Sequence, residues 1–219
     1  MTPGPDQVVA CPHCQGLAKY RTVSSGNSLG VRIWTDGRQI APMLPRPPFA
    51  VKCRHCAKSY WLTDAKEIGM IGMPTEQRAV DPAWEEAPYV EEAPEEGYYQ
   101  ALEATLARDR ALEKVLRTFV WWRGNDADRY LTQGEEGIET DYPEAYRNNL
   151  TALTPLFNER NLSERLMKAE ALRELAEFDA ALKILSEIQG SNYDTVVQKI
   201  RNLCEISDTC VREIEYEEG

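Results

Sequence analysis

Two Cys-x-x-Cys turns, Cys11-Pro12-His13-Cys14 and Cys53-Arg54-His55-Cys56, constrain this 219-residue chain more than any other feature. Each turn aims two thiolates at one point, and a pair of turns supplies the four soft ligands of a tetrahedral metal site. Cys11, Cys14, Cys53 and Cys56 are therefore expected to hold one ion. A tetrahedral sulfur set suits Zn²⁺ or iron; the long loop between the turns is unlike a compact rubredoxin frame, which favours zinc. A closed four-cysteine set leaves no position for water or substrate, so the ion is expected to be structural and to stabilise a lobe too small to bury its own core. His13 and His55 occupy matching places in the two turns and are expected to be exposed, near the thiolates.

Cys-Pro-His-Cys is also the sequence of an oxidising thioredoxin-type site, in which the dithiol opens a helix that follows a strand. Here Gln15-Gly16 follows instead of a helical pattern, and the second Cys-x-x-Cys would be left unexplained.

Short β-forming segments surround both turns. Leu17–Val23 alternates, and Val31–Thr35 and Arg38–Ile40 flank Asp36-Gly37, a dipeptide suited to a tight hairpin. Phe49–Lys52 leads into the second turn and Ser59–Leu62 leads out of it. Thr63-Asp64 is expected to cap a short helix that stops at Gly69 or Gly72. Residues 1–66 thus read as a zinc ribbon. The turns, with Tyr20–Ser28, Trp34–Gly37 and Pro42–Pro45 between them, resemble a group of uncharacterised bacterial proteins that join a zinc ribbon to a helical tail. The likeness extends to Trp121-Trp122 and Asn125-Asp126. It implies a bacterial cytosolic protein with Cys11, Cys14, Cys53 and Cys56 as ligands, and it brings no activity.

Residues 67–97 read as a linker, because Pro74, Pro82, Pro88 and Pro94 are interspersed with eight acids between Pro74 and Gly97. Trp84, Tyr89 and Val90 are costly in a free spacer, so the segment is expected to drape over one lobe and pin its aromatics there, with its acids free to face the basic ribbon.

Residues 98–219 read as helical. Tyr99, Leu102 and Leu106, then Leu112, Val115, Leu116, Phe119 and Val120, follow helical spacing with a break near Asp109. Adjacent Trp121 and Trp122 point about 100° apart, so one should seal the core while the other meets a neighbouring lobe or a partner. Gly134–Thr140 reads as a loop, Pro143 as a helix start, and Gly190-Ser191-Asn192 as punctuation before a helix over Tyr193–Ile206. Ala169, Leu172, Ala176, Phe178, Ala181 and Leu185 follow the small-and-large pattern of a helical hairpin that resembles one tetratricopeptide repeat. Cys204 and Cys210 read as core residues and the tail from Glu213 as frayed. The fold class expected is α+β: a small β ribbon, then an all-α domain.

The net charge of −11 argues against wholesale wrapping of nucleic acid or of an anionic membrane. Its distribution is uneven, since residues 1–66 hold nine Lys/Arg against three Asp/Glu. No apolar run approaches the roughly 20 residues that cross a bilayer, and the first ten residues lack a signal-peptide pattern, so a cytoplasmic location is expected. There is no His-Glu-x-x-His, phosphate-binding loop or dinucleotide fingerprint. A non-catalytic, zinc-stapled protein is expected, engaging another protein through its helices; a nucleic-acid-associated factor using the basic ribbon is the alternative.

Overall fold

The computed structural model describes residues 1–72, 81–104, 106–129, 143–188 and 193–215. The fold is α+β, with N-terminal antiparallel strands that carry the cysteines, followed by helices. The Gly134–Thr140 loop and the Gly190–Asn192 break lie outside the described residues, as do Pro74 and the final four residues.

The chain forms two compact units. One comprises 1–31 and 41–108; the other comprises 32–40 and 109–219. In the first unit, β1 (Thr2–Ala10) is the middle strand of an antiparallel sheet of order β2-β1-β7, where β2 is Leu17–Ser25 and β7 is Lys66–Ile71. Val8, Val9 and Ala10 are buried in its regular stretch. Pro3 and Pro5 sit beyond the pairing with β7, which covers only Asp6–Ala10, and the β2 register slips around them. That placement reconciles two prolines with a central strand, because neither must donate on both sides. A second hairpin pairs β5 (Ala50–Lys52) with β6 (Ser59–Trp61).

The helix expected after Asp64 is absent: a single 3₁₀ turn over Leu62–Asp64 leads straight into β7. The two glycines read as helix stops instead lie within and just after this strand, and the Trp84 ring packs on Gly69. Of the acidic segment, Trp84 and Pro88–Val90 lie against the strands of the first unit, as expected of its aromatics. Asp81 caps the short α1 (Pro82–Glu85). Pro88–Val90 then pairs alongside Lys19, through Lys19 N–H to the Pro88 carbonyl (2.9 Å) and Val90 N–H to the Lys19 carbonyl (2.8 Å). Tyr89 donates to Asp6 at 2.5 Å and lies under the cationic ends of Lys19 and Arg21. Helix α2 (Glu95–Glu103) follows, burying Tyr98 and Ala101 rather than the expected Tyr99 and Leu102.

In the second unit, β3 (Arg32–Ile33) and β4 (Gln39–Ile40) form the expected hairpin, closed by Gly37 at φ 78°. It packs with α3 (Arg110–Gly124), α4 (Asp126–Arg129), α5 (Glu144–Leu153), α6 (Leu162–Glu174), α7 (Phe178–Ser186) and α8 (Asp194–Glu205). Asp109 and Asn161 cap α3 and α6 by accepting from the N–H groups of Leu112 and Glu164.

One core joins Leu166, Ala169, Leu172, Ala181, Leu185, Val196, Val197, Ile200 and Cys204 from α6, α7 and α8, with Ile33 of the hairpin packed against it. A second core gathers Trp121, Tyr146, Leu150, Leu153 and Phe157. Ala169 and Ala181 are fully buried, as a close helix crossing requires. Ala176 instead occupies the α6–α7 turn at φ 62°. Glu213 does not fray: it forms an ion pair with Arg32, and Ile214 N–H donates to the Ile33 carbonyl at 2.8 Å.

Candidate metal centre

The two cysteine turns are the tips of two hairpins, one joining β1 to β2 and the other β5 to β6. Their backbones repeat each other. Cys11 N–H donates to the Gly16 carbonyl (3.0 Å) and Gln15 N–H returns to Cys11 (2.9 Å); Cys53 N–H donates to Lys58 and Ala57 N–H returns to Cys53, both at 2.9 Å. The residue after each second cysteine, Gln15 or Ala57, takes a positive φ of 61° or 60°. This left-handed residue is rare for a side chain with a Cβ, and its recurrence at equivalent positions shows that both turns adopt one geometry.

That geometry brings four sulfurs together. The Sγ atoms of Cys11, Cys14, Cys53 and Cys56 all lie within 4.8 Å of one another. Cys14 and Cys53 are 3.6 Å apart, and Cys11 and Cys56 are 3.9 Å apart. Four sulfurs at tetrahedral corners around an ion with metal–sulfur bonds near 2.3 Å are separated by about 3.8 Å, so the donor set fits a single metal ion. All six cysteines are free of disulfides.

The surroundings suit thiolates. The backbone N–H groups of His13 and His55 point at the sulfurs of Cys11 and Cys53, each at 3.4 Å. The imidazoles do not take that role: each reaches across to the other hairpin. His55 Nε2 faces the Leu17 carbonyl at 3.0 Å, and His13 Nε2 faces the Ser59 carbonyl at 3.4 Å. Because a carbonyl only accepts, each Nε2 carries the proton in these contacts. The His55 ring lies so close to Gly16 that a Cβ there would stand 2.4 Å from its Cδ2, which restricts position 16 to glycine.

Cys11 and Cys53 are buried, with Val51 and Tyr60 packed around them, whereas Cys14 is exposed. Burial pushes the Cys53 thiol up, but N–H groups of Cys56 and His55 outweigh it and hold the thiol down to about 7. At Cys14 the Gly16 N–H lowers the value, while burial and the neighbouring sulfurs prevail and push it up to about 12. Four thiols packed together do not all ionise unaided, and a cation among them removes that conflict. Burial, followed by the charge of the same four cysteines, also pushes the Tyr60 phenol up to about 12.

All four expected ligands are thus brought together. Tyr60, the left-handed Gln15 and Ala57, and the crossed imidazoles were not foreseen as parts of the centre; the matched spacing of the two turns was the available signal. No protein-family model matches the chain, and no curated protein or solved structure shows significant similarity to it.

Proposed function

We propose that Cys11, Cys14, Cys53 and Cys56 bind one structural Zn²⁺ and that the protein is a non-catalytic interaction module whose helices engage a protein partner. The observation that carries the metal reading is the closed sulfur set, with Cys14–Cys53 and Cys11–Cys56 at 3.6 and 3.9 Å across the two hairpins and the backbones of both turns in one repeated conformation. Four protein sulfurs complete a tetrahedral shell, so the ion stabilises the hairpins and does not offer a site for substrate. The α6–α7 hairpin, with alanines at the crossing, supports a tetratricopeptide-like surface and hence the interaction role.

The alternative nucleic-acid role loses support from the charge of the first unit. Residues 1–31 and 41–108 contain nine Lys/Arg against twelve Asp/Glu, so the basic excess of residues 1–66 is answered within the same unit. Lys19 donates to the Glu85 carbonyl at 2.6 Å, and Arg54 forms an ion pair with Glu91. Binding assays of the full chain with single- and double-stranded nucleic acid at low salt test this comparison. We expect no retention; salt-dependent retention would favour the nucleic-acid role. For the metal, elemental analysis of purified protein should find one zinc per chain, and Cys53→Ser should lose it.

A further inference from the structure

Among its described residues, the second unit encloses more acid than base. Arg129 forms an ion pair with Asp36, and Arg173 forms one with Glu170; all four side chains are fully buried. Glu174, on the same helix as Glu170 and Arg173, is also buried, and its hydrogen-bond partners are neutral: Trp121, Asn125 and Tyr146.

Counting protons in this cluster bears on the state of Glu174. Asn125 Nδ2 has two hydrogens and uses one toward Asp36 Oδ2 at 3.1 Å and the other toward Glu174 Oε1 and Oε2 at 3.1 and 3.2 Å. Rotating the amide would turn its oxygen toward both carboxyl groups, so this orientation is imposed. Asn125 Oδ1 then needs a donor, which is the Tyr146 hydroxyl at 2.6 Å. A phenol has one hydrogen. Tyr146 also faces Glu174 Oε2 at 2.5 Å, the same oxygen that accepts from Trp121 Nε1 at 2.6 Å, so its one hydrogen is contested between Asn125 Oδ1 and Glu174, a contest that a proton on Glu174 would resolve.

We infer that Glu174 is a neutral carboxylic acid at neutral pH and that its proton is a latch holding the Asp36 turn of the β3–β4 hairpin to the helices. Without the proton, Tyr146 must choose between Asn125 and Glu174, and a second negative charge faces Asp36 across a single amide. Among the described residues, the charged groups around the site include Asp36 and Arg129 of the hairpin and α4, and Glu170 and Arg173 of α6; from α5, Tyr146 reaches it. Burial, most of all, and then Glu170 and Asp36 push the Glu174 carboxyl well above the carboxylate range, with Arg173 and the Tyr146 hydroxyl opposing them.

The sign follows from linkage. A carboxyl that is raised in the folded state takes up a proton on folding at any pH between its unfolded value, about 4.3, and its folded value. The stabilisation is complete below that window and is lost as pH rises through it, the unfolding constant increasing about tenfold per pH unit.

The test follows the Glu174 side-chain carboxyl carbon by ¹³C NMR in wild-type, metal-loaded protein, assigned through its own backbone resonances. The signal should remain at the protonated position at pH 7. Hydrogen exchange of residues 32–40, corrected for intrinsic base catalysis, should accelerate as pH rises toward the Glu174 midpoint. Glu174→Gln should remove the tenfold-per-unit slope from the unfolding constant of the helices. Titration of the wild-type carbon near 4.3 would overturn the inference whether or not the variant folds, as would an unchanged slope in a folded variant.

Discussion

The two units of this protein reach a fixed structure by opposite means. The hairpin unit concentrates its specificity in four sulfurs, and its sheet hydrogen bonds align two equivalent turns for one ion. The helical unit instead buries aliphatic and aromatic side chains around two ion pairs and an unpaired acid. A four-cysteine cluster stands where short strands lack core volume, whereas the helices bury Leu185 and Ile200 completely. The cost in the helical unit is that each buried charge depends on its partner.

Removing the metal should have the largest effect, because structural zinc contributes about 10 to 16 kcal/mol to small metal-bound folds. Treatment with a strong chelator, or Cys53→Ser, should abolish hydrogen-exchange protection around both turns while residues 162–205 retain theirs. Simultaneous loss in both regions would end the distinction between the units. Next in size, Arg129→Ala should destabilise the helices by about 3 to 5 kcal/mol in denaturant titration, since it leaves buried Asp36 without its cationic partner. The Asp36→Ala, Arg129→Ala pair should cost less than the sum of the single changes.

Ile200→Ala should cost about 2 to 5 kcal/mol by emptying a fully buried position between α8 and its neighbours. Alkali should separate the units further. Metal binding to thiolates strengthens as pH rises, while the Glu174 window weakens the helices by about 1.4 kcal/mol per pH unit. Melting followed separately in the two units should show opposite trends from pH 5.5 upward by about two units. At the small end, Arg54→Ala should change stability by less than about 1 kcal/mol, because its ion pair with Glu91 is exposed on both sides.

These differences also govern what was legible in the sequence. The metal turns were legible because ligation demands particular residue types at fixed spacing, and the Asp36-Gly37 hairpin because its turn requires a positive φ. β1 was not assigned from the sequence, because Pro3, Gly4 and Pro5 carry no strand signal and fit a strand only through the register slip beside them. β7 was hidden by Gly69, which packs under Trp84 instead of ending a helix, and by Gly72 just past the strand.

The buried charge cluster was the least legible part. Asp36, Arg129, Glu170, Arg173 and Glu174 are residue types expected at a surface, and the Asp36–Arg129 pair and the contacts of Glu174 with Trp121 and Asn125 join positions far apart in the chain. Helix α6 shows why: Ala169 to Glu174 are buried all round, so polar and apolar residues alternate without a solvent face to organise them. Likewise, helical spacing alone did not distinguish Tyr98, which is buried, from Tyr99, which was expected inward.

The central claim is that four cysteines from two equivalent turns share one ion. Its most direct test is the metal-to-protein ratio of the purified chain, measured together with the number of thiols that react before and after a chelator. The predicted result is one zinc per chain, with the thiols of Cys11, Cys14, Cys53 and Cys56 protected until the ion is withdrawn. A metal-free protein that is folded throughout, with those thiols reactive from the start, would contradict it.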